Sequence, residues 1–597
     1  MLPLLLHAQD QKGQQKPRLI HLLKANSLSF NKKHDAERQV LRGDVLFRQD
    51  SVYMQCDSAY FYQSTNSFEA FSNVHMYEGD TLHMWCDSLS YDGNTQFGEL
   101  FDNVILRHND VELHTDYLQY RRPEAEAHYP YSGNIQDPQN HLFSSLGWYY
   151  PNDRHATFRN NVVMKSYDFS AMPDSVRPLY PDPDERVLYR PKATLYSDSL
   201  DYNFISKDAH VTGPSRIVGD TATLYTTEGT MNTGTQKSWL YKRSRAVSPG
   251  RYATADTLFY DGILGVGEGF GRFVAHDSIQ HVRVQGDYGH YTRDPQVVTV
   301  TRRALAMEFS GKDTLYMHAD TLRSYTILKE KTMQVAEDSV QICDTLKVTR
   351  EIALEDSVIT ETIDSLACRM EARFHDSIYT DTIHYMACFH NVRYFRTDLQ
   401  GVCDSLNYNS SDSLATFVGN PVMWNSNYQI TGDTIFAWMG ENKGISRCLI
   451  HDQAQLAQQH DSIHYDQIAG KELMCYFDDA GKIRQMDVSG NVQTIFFPVE
   501  GKGEERYLLG LNQVIGNFLT VWFKDQKMDH LRIWPSPVGS MTPLFLVTPE
   551  ILYLNGFRWM DYLRPVSAED VFRDIRMKDE DKVESVRLFD DDELNGY

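Results

Sequence analysis

Six aspartates recur in near-identical company. They lie in "CDSAYFY" (56–62), "CDSLSYD" (86–92), "TDYLQYR" (115–121), "SDSLDYN" (197–203), "ADTLFYD" (255–261) and "CDSLNYN" (403–409). Carboxylates beside hydroxyls could serve three kinds of chemistry. A close pair could hydrolyse a glycosidic bond. A row of them could hold calcium along a repeat edge. Single ones could accept backbone N–H groups in Asx or Ser/Thr turns. Glycoside chemistry needs one unique constellation, and repetition argues against it. Calcium needs several oxygens per ion and usually a Gly-rich loop, and the calcium-binding nonapeptide pattern is missing. A turn role is therefore expected for Asp57, Asp87, Asp116, Asp198, Asp256 and Asp404, each placed just before a strand.

The cysteines allow little chemistry. Eight in 597 residues are too few for a disulfide scaffold, and no C-x-x-C pair supports a structural zinc site. Cys56, Cys86 and Cys403 share one slot of the repeat. Cys56 and Cys86 lie in consecutive copies, so a disulfide between them stays open, subject to its strict geometry. Neither cofactor nor metal is expected, and no catalytic residue is nominated.

A second phrase lies between the aspartate motifs: "RGDVLF" (42–47), "FSNVHM" (71–76) and "FDNVIL" (101–106). Asp57 to Asp87 is 30 residues and Asp87 to Asp116 is 29; Val45 to Val74 is 29 and Val74 to Val104 is 30. Two phrases with one period mark a stacked repeat. Apolar residues two apart place Val45 and Phe47, Val74 and Met76, and Val104 and Leu106 on one face of a strand. The same holds for Phe61 (with Ala59), for Leu89 and Tyr91, and for Leu118 and Tyr120. Intervening Ser90, Gln119 and Asp201 are polar. Asn, Asp and Gly before each Val read as turn residues. These inward candidates either line a lipid groove or pack against each other as a closed core.

Composition narrows the function classes. The net charge is −23, which argues against nucleic acid or an anionic membrane surface as main partner. Residues 1–9, "MLPLLLHAQ", look like the remnant of a secretory signal peptide and predict export to the periplasm. No later stretch reaches the ~18 apolar residues of a transmembrane helix.

The expected order is residues 1–9 as that remnant, 19–163 clean β-repeats, 164–193 a Pro- and charge-rich loop, and 194–325 divergent β-repeats. Residues 326–383, rich in phrases such as "EDSV" and "CDTL", predict an acidic, extended and partly disordered insertion. Repeats return over 384–500. Residues 501–597 form a divergent C-terminal segment, a cap or a docking element, with a possible helix near 568–577 and an acidic tail.

The phrases "LRGDVLFRQDSVYMQCDSAYFY", "FEAFSNVHMYEGDTLHMWCDSLSY" and "LFDNVILRHNDVELHTDYLQY" resemble those of the OstA-like proteins. This is the family related to LptA, the periplasmic bridge of lipopolysaccharide transport. "DLQGVCDSLNYN", "PVMWNSNYQITGDTI" and "FRWMDYLRP" are similar to its long Bacteroidetes-type form. The resemblance implies an all-β fold, a repetitive antiparallel folded-over sheet (β-taco or elongated β-jellyroll). It also implies acyl chains held in an apolar crease between two β-walls, end-to-end stacking, and partners met by edge-strand addition. The expectation is a non-catalytic periplasmic carrier or bridge for lipopolysaccharide or a related amphiphile. Its inward-facing candidates are Val45, Phe47, Phe61, Val74, Met76, Leu89, Tyr91, Val104, Leu106, Leu118 and Tyr120. The alternatives are a surface-exposed structural or adhesive β-solenoid, which a filled core would favour, and a polysaccharide-acting β-helix enzyme, which would need a unique acidic cleft.

Overall fold

The computed structural model describes residues 18–31, 35–167, 191–309, 311, 313–354, 357–440, 444–479, 481–501, 507–524 and 527–578. At 31, 35–36, 328–354, 357–381 and 527 it describes the backbone alone. The signal-peptide remnant at 1–9, most of the 164–193 loop and the acidic tail lie outside the described residues. The protein is all-β, with no α-helix among the described residues. It divides into two compact units, 1–291 with 300–310 and 292–299 with 311–597.

In the first unit, successive strands pair antiparallel with their neighbours, as Val52–Tyr62, Ser67–Glu78, Leu82–Asp92, Phe97–His108 and Val111–Arg121 do. Each strand is bent near its middle. Along Val52–Tyr62 the buried residues are Val52, Met54 and Cys56, then Ala59 and Phe61. Strict alternation would turn residue 58 inward, but the phase shifts at the irregularity between Gln55 and Ser58, where the neighbouring strand carries one extra residue between Phe71 and His75. The shift keeps both halves of the strand facing the same interior.

The bend itself is made by pairs of residues in the left-handed region on every second strand. Gly43 and Asp44 have φ of 75° and 46°, Ser72 and Asn73 of 63° and 51°, and Asp102 and Asn103 of 59° and 50°. Gly, Asn and Asp tolerate that conformation best, which accounts for the "GDV", "SNV" and "DNV" spellings. The sheet thus folds over a corner into two walls, here called the first and second arms. The first arm holds Val45–Phe47 and Val52–Cys56; the second holds Ala59–Phe61 and Phe68–Ala70.

The corner corrects the reading of the repeated aspartates. Asp57 and Asp87 do not precede strands but lie mid-strand at the bend, whereas Asp256 stands just before the strand Thr257–Asp261, as expected. Their partners are side chains of the corner residues next door. Asn73 Nδ2 donates to Asp57 at 2.7 Å and Asn103 Nδ2 to Asp87 at 2.7 Å. At Asp256 an arginine takes the asparagine's place, with Arg272 Nη2 at 2.6 Å. The two repeated phrases are the two halves of one corner clasp.

The second unit repeats the device, with left-handed pairs at His390–Asn391, Asp452–Gln453 and Gly490–Asn491. Its inner rows include Ile435, Cys448, Ile450, Leu473 and Cys475, each at most 2% exposed. The backbone of the acidic 326–383 stretch lies in two long strands, Leu315–Leu354 and Ser357–Arg396, paired with each other. The helix expected near 568–577 is instead a single 3-10 turn, Asp570–Phe572. There Val571 is buried and Phe572 packs on His318.

The segment ahead of that turn makes a distinct contact with the wall. Residues 544–563 cross the outer face of strands bearing Gln400, Gln429, Gln467 and Gln513. Gln429 Nε2 donates to Arg558 O at 2.7 Å and Gln429 Oε1 accepts from Met560 N at 2.7 Å. Gln467 does the same to Leu552 O at 2.9 Å and Leu554 N at 2.8 Å. Each buried amide substitutes for one residue of a neighbouring strand. Apolar side chains fill between them: Met560 and Leu563 pack on Val402, Val422 and Trp424, and Leu544, Val547 and Ile551 on Ile495, Phe497 and Leu511.

Candidate functional site

The interior of the first unit is defined by two continuous cross-strand rows. On the first arm, Phe47 faces Met54, which faces Met76, then Met84, Leu106 and Leu113. On the second arm, Phe61 faces Phe68, then Tyr91, Gly98, Tyr120 and Ala127. From Tyr91 on, the second row alternates large with small, each tyrosine of the "CDSLSYD" type meeting a Gly or Ala on the next strand.

All eleven inward candidates face this interior. Phe47, Met76 and Leu106 lie in the first row; Phe61, Tyr91 and Tyr120 lie in the second. Val45, Val74, Val104, Leu89 and Leu118 sit nearer the corner. None exceeds 7% exposure, and the rings pack on each other, Phe47 with Phe68 at 4.5 Å and Phe68 with Tyr91 at 5.5 Å. At these positions the crease is filled and sealed.

Polar latches across the mouth keep it sealed. The Tyr91 hydroxyl donates to Gln49 Oε1 at 2.6 Å, and Gln49 Nε2 donates to Gly93 O at 2.8 Å. Arg122, from a second-arm turn, reaches Asp50 at 3.4 Å and Glu78 at 3.2 Å on first-arm turns. Tyr149 bonds His108 at 2.9 Å, next to the Arg154–Asp110 ion pair. Asn140 Nδ2 donates to the Tyr202 hydroxyl at 3.0 Å, and Lys207 pairs with the fully buried carboxylate of Asp137 at 2.9 Å. Burial raises the pKa of Tyr91, Tyr149 and Tyr202, so they stay neutral hydroxyls able to donate.

Past the Asp137–Lys207 latch the first-arm row changes. The first-arm row runs on through Ile217 to Leu224, Ala246, Ala253 and Ala275. The second-arm row runs through Ala209 to Met231, Ser238, Tyr260 and Gly267. On the first arm large residues give way to Ala246, Ala253 and Ala275, while the second arm still alternates large with small. Leu224, Met231, Ala246, Ala253, Tyr260 and Ala275 are half-buried, whereas their counterparts in the sealed stretch are within a few per cent of zero. The crease is open here, apolar, and continuous with the sealed core. Of these residues, Tyr260 was legible as the tyrosine of "ADTLFYD". The alanines carry no sequence signal, since only their row position shows what they leave empty.

The arrangement offers no reactive constellation. Among the described residues no group of three or more His, Cys, Asp or Glu could hold a metal ion. Cys56 and Cys86 are free and buried, and desolvation pushes both thiols up to about 12. They sit on the strands either side of Ser67–Glu78, two strand spacings or roughly 9.6 Å apart, which is beyond disulfide reach. Cys448 and Cys475 are brought face to face by register, both free, and the backbone register also sets position 343 opposite 368; neither Cys448 nor Cys475 occupies the repeated slot, so spacing could not reveal them.

The model of the OstA-like protein family matches residues 17–174 and 184–256. Over this span the chain is similar to OstA-like proteins. No curated protein matches the chain. The OstA-like match covers the whole latched crease and the start of the open one. The family is one of β-structured proteins related to lipopolysaccharide or lipid transport. No helix of the described residues is long and apolar enough to cross a membrane, which leaves spanning by strands unaddressed.

Proposed function

We propose that the chain is a non-catalytic carrier or bridge for lipopolysaccharide or a related amphiphile, working in the periplasm. Acyl chains lie in the apolar crease, and the headgroup stays in water at the mouth. The observation that carries this is the open stretch, where two apolar rows continue half-buried out of a packed core, with alanines on the first arm in place of large side chains. Each acyl CH₂ entering it gains about 0.8 kcal/mol. A headgroup outside the mouth suits a chain of net charge −23, since it needs no basic face. Edge strands at the ends of the sheet suit strand addition to other transport proteins.

The sealed stretch favours a second reading, a structural or adhesive β-solenoid, and one experiment separates the two. Photo-crosslinking amino acids are placed at Leu224, Tyr260 and Ala275 and, separately, at Phe47, Met76, Leu106 and Tyr120, with outward Ser90 and Gln119 as controls. Cells supply labelled lipopolysaccharide. Adducts in the first set mark the open crease as the lipid site, and adducts in both sets mean the latches part in use. A folded, exported protein without adducts at any inward position overturns the carrier and leaves the solenoid.

A further inference from the structure

The rims of the open stretch carry aliphatic side chains that the turns themselves do not require. Ile263 and Leu264 are 61% and 71% exposed on a second-arm turn, and Ile279 is 60% exposed on a first-arm turn. A single strand, Val266–Asp277, joins these two turns, so they stand on opposite lips of the same crease. Ile205, on the second-arm turn after Tyr202, is 65% exposed.

Each tip is rigid. Asp261 Oδ1 accepts from Ile263 N and Leu264 N, both at 3.0 Å. Asp277 Oδ1 accepts from Ile279 N and Gln280 N, both at 2.9 Å. Asn203 Oδ1 holds Ile205 N at 2.9 Å in the same way. These are Asx turns, and along the sealed stretch the chain builds the same turn with polar tips, although Asp461 in the second unit carries an exposed Ile463 in such a turn. Along the sealed stretch, "DGNT" puts Asn94 N on Asp92 Oδ1 at 2.8 Å, where the open stretch writes "DGIL". Asp137 likewise holds Gln139 N at 2.8 Å. The fold accepts Asn, Thr or Gln at these positions, so exposed Ile and Leu are an added feature at a cost in solubility.

We infer that Ile263, Leu264 and Ile279 form the lips of a portal through which acyl chains enter and leave the crease. The occupant follows from continuity. The tips adjoin the one stretch of the first unit whose rows are half-exposed, and they give a chain leaving water an apolar surface before it reaches Leu224 and Ala275. This rests on the carrier reading above and adds where loading occurs.

The test uses the chain's own polar turn as a graft: Ile263→Asn, Leu264→Thr and Ile279→Asn in the full-length protein, with far-UV circular dichroism and melting compared to the parent. The probe is dansyl-labelled undecanoic acid, followed by stopped-flow fluorescence. Loading and release are expected to slow together, roughly tenfold, the factor given by about 1.4 kcal/mol of lost transition-state contact, with equilibrium affinity unchanged. Unaltered rates in a folded variant overturn the portal while leaving the carrier standing. Slowing only when the probe is delivered from phosphatidylcholine vesicles, and not from solution, overturns it in favour of tips that touch a membrane. A parent protein that binds no probe overturns the carrier reading itself.

Discussion

The strap over the second unit is held by amide side chains, and its loss can be sized from the structure. Gln429→Leu keeps volume but strands two buried groups, the carbonyl of Arg558 and the N–H of Met560. Each stranded group costs about 1–3 kcal/mol, so the deficit is about 2–6 kcal/mol. Burying the leucine returns about 1.5–3 kcal/mol. The net is about 0.5–3 kcal/mol, or roughly twofold to a hundredfold in the opening equilibrium of the strap. Hydrogen exchange with mass spectrometry should show the amides around Leu554, Met560 and Leu563 exchanging faster by that factor. The amides of Ile445–Gln459 and Ile483–Phe496 should keep their protection, since the bent sheet has its own core. Gln467→Leu should act on Leu552 and Leu554 in the same way, and the double variant should release the whole strap. Unchanged exchange over 544–563 in both single variants would refute the idea that glutamine amides hold it.

Other outcomes follow from the latches and the outer-face rings. Lys207→Met leaves the Asp137 carboxylate buried without its cation. Because Asn140 and two backbone N–H groups still bond that carboxylate, the loss should sit at the low end of the ~3–5 kcal/mol range for a broken buried pair. Urea unfolding checks this, and adding Asp137→Asn should recover part of it. Burial and the adjacent His83 ring hold His75 below the ordinary histidine range, and burial with Arg154 nearby does the same to His108. A histidine depressed in the folded state is neutral there and takes up a proton more readily when unfolded. Its contribution is therefore complete above the unfolded pKa of about 6.5 and is lost as pH falls through the folded value. Melting temperature should drop as pH is lowered below about 6.5, and His75→Gln with His108→Asn should flatten that limb; an unchanged slope would count against both residues.

Much of the first unit was legible because its signals are local. Period-two burial of Val74 with Met76 and of Leu89 with Tyr91 depends on strand geometry alone, and a period kept by two phrases implies stacking. The aspartates were misread for a physical reason. An Asx turn and a mid-strand corner both want Asp, Asn and Gly, so residue type alone could not tell that Asp57 meets Asn73, 16 residues away. The cysteines failed similarly, because recurrence at one slot places Cys56 and Cys86 in the same row but not on adjacent strands.

What the sequence by itself determined is the repeat, the strands, the inward face and the resemblance that named the fold. Tertiary structure decided where the crease is shut and where it is open. That depends on which turn of one arm meets which turn of the other, as when Arg122 reaches Asp50, 72 residues away. It also depends on whether neighbouring strands of one wall present large or small residues, as Met84 beside Leu106 and Ala246 beside Ala253 do. Likewise Gln429 and Met560 are 131 residues apart, and only the fold shows that one holds the other. Alternation and left-handed corners arise from the conformational preferences of a few neighbouring residues and can be read along the chain. Closure of a crease is a sum over distant pairs, each worth about a kilocalorie, and it exists only once both walls are in place.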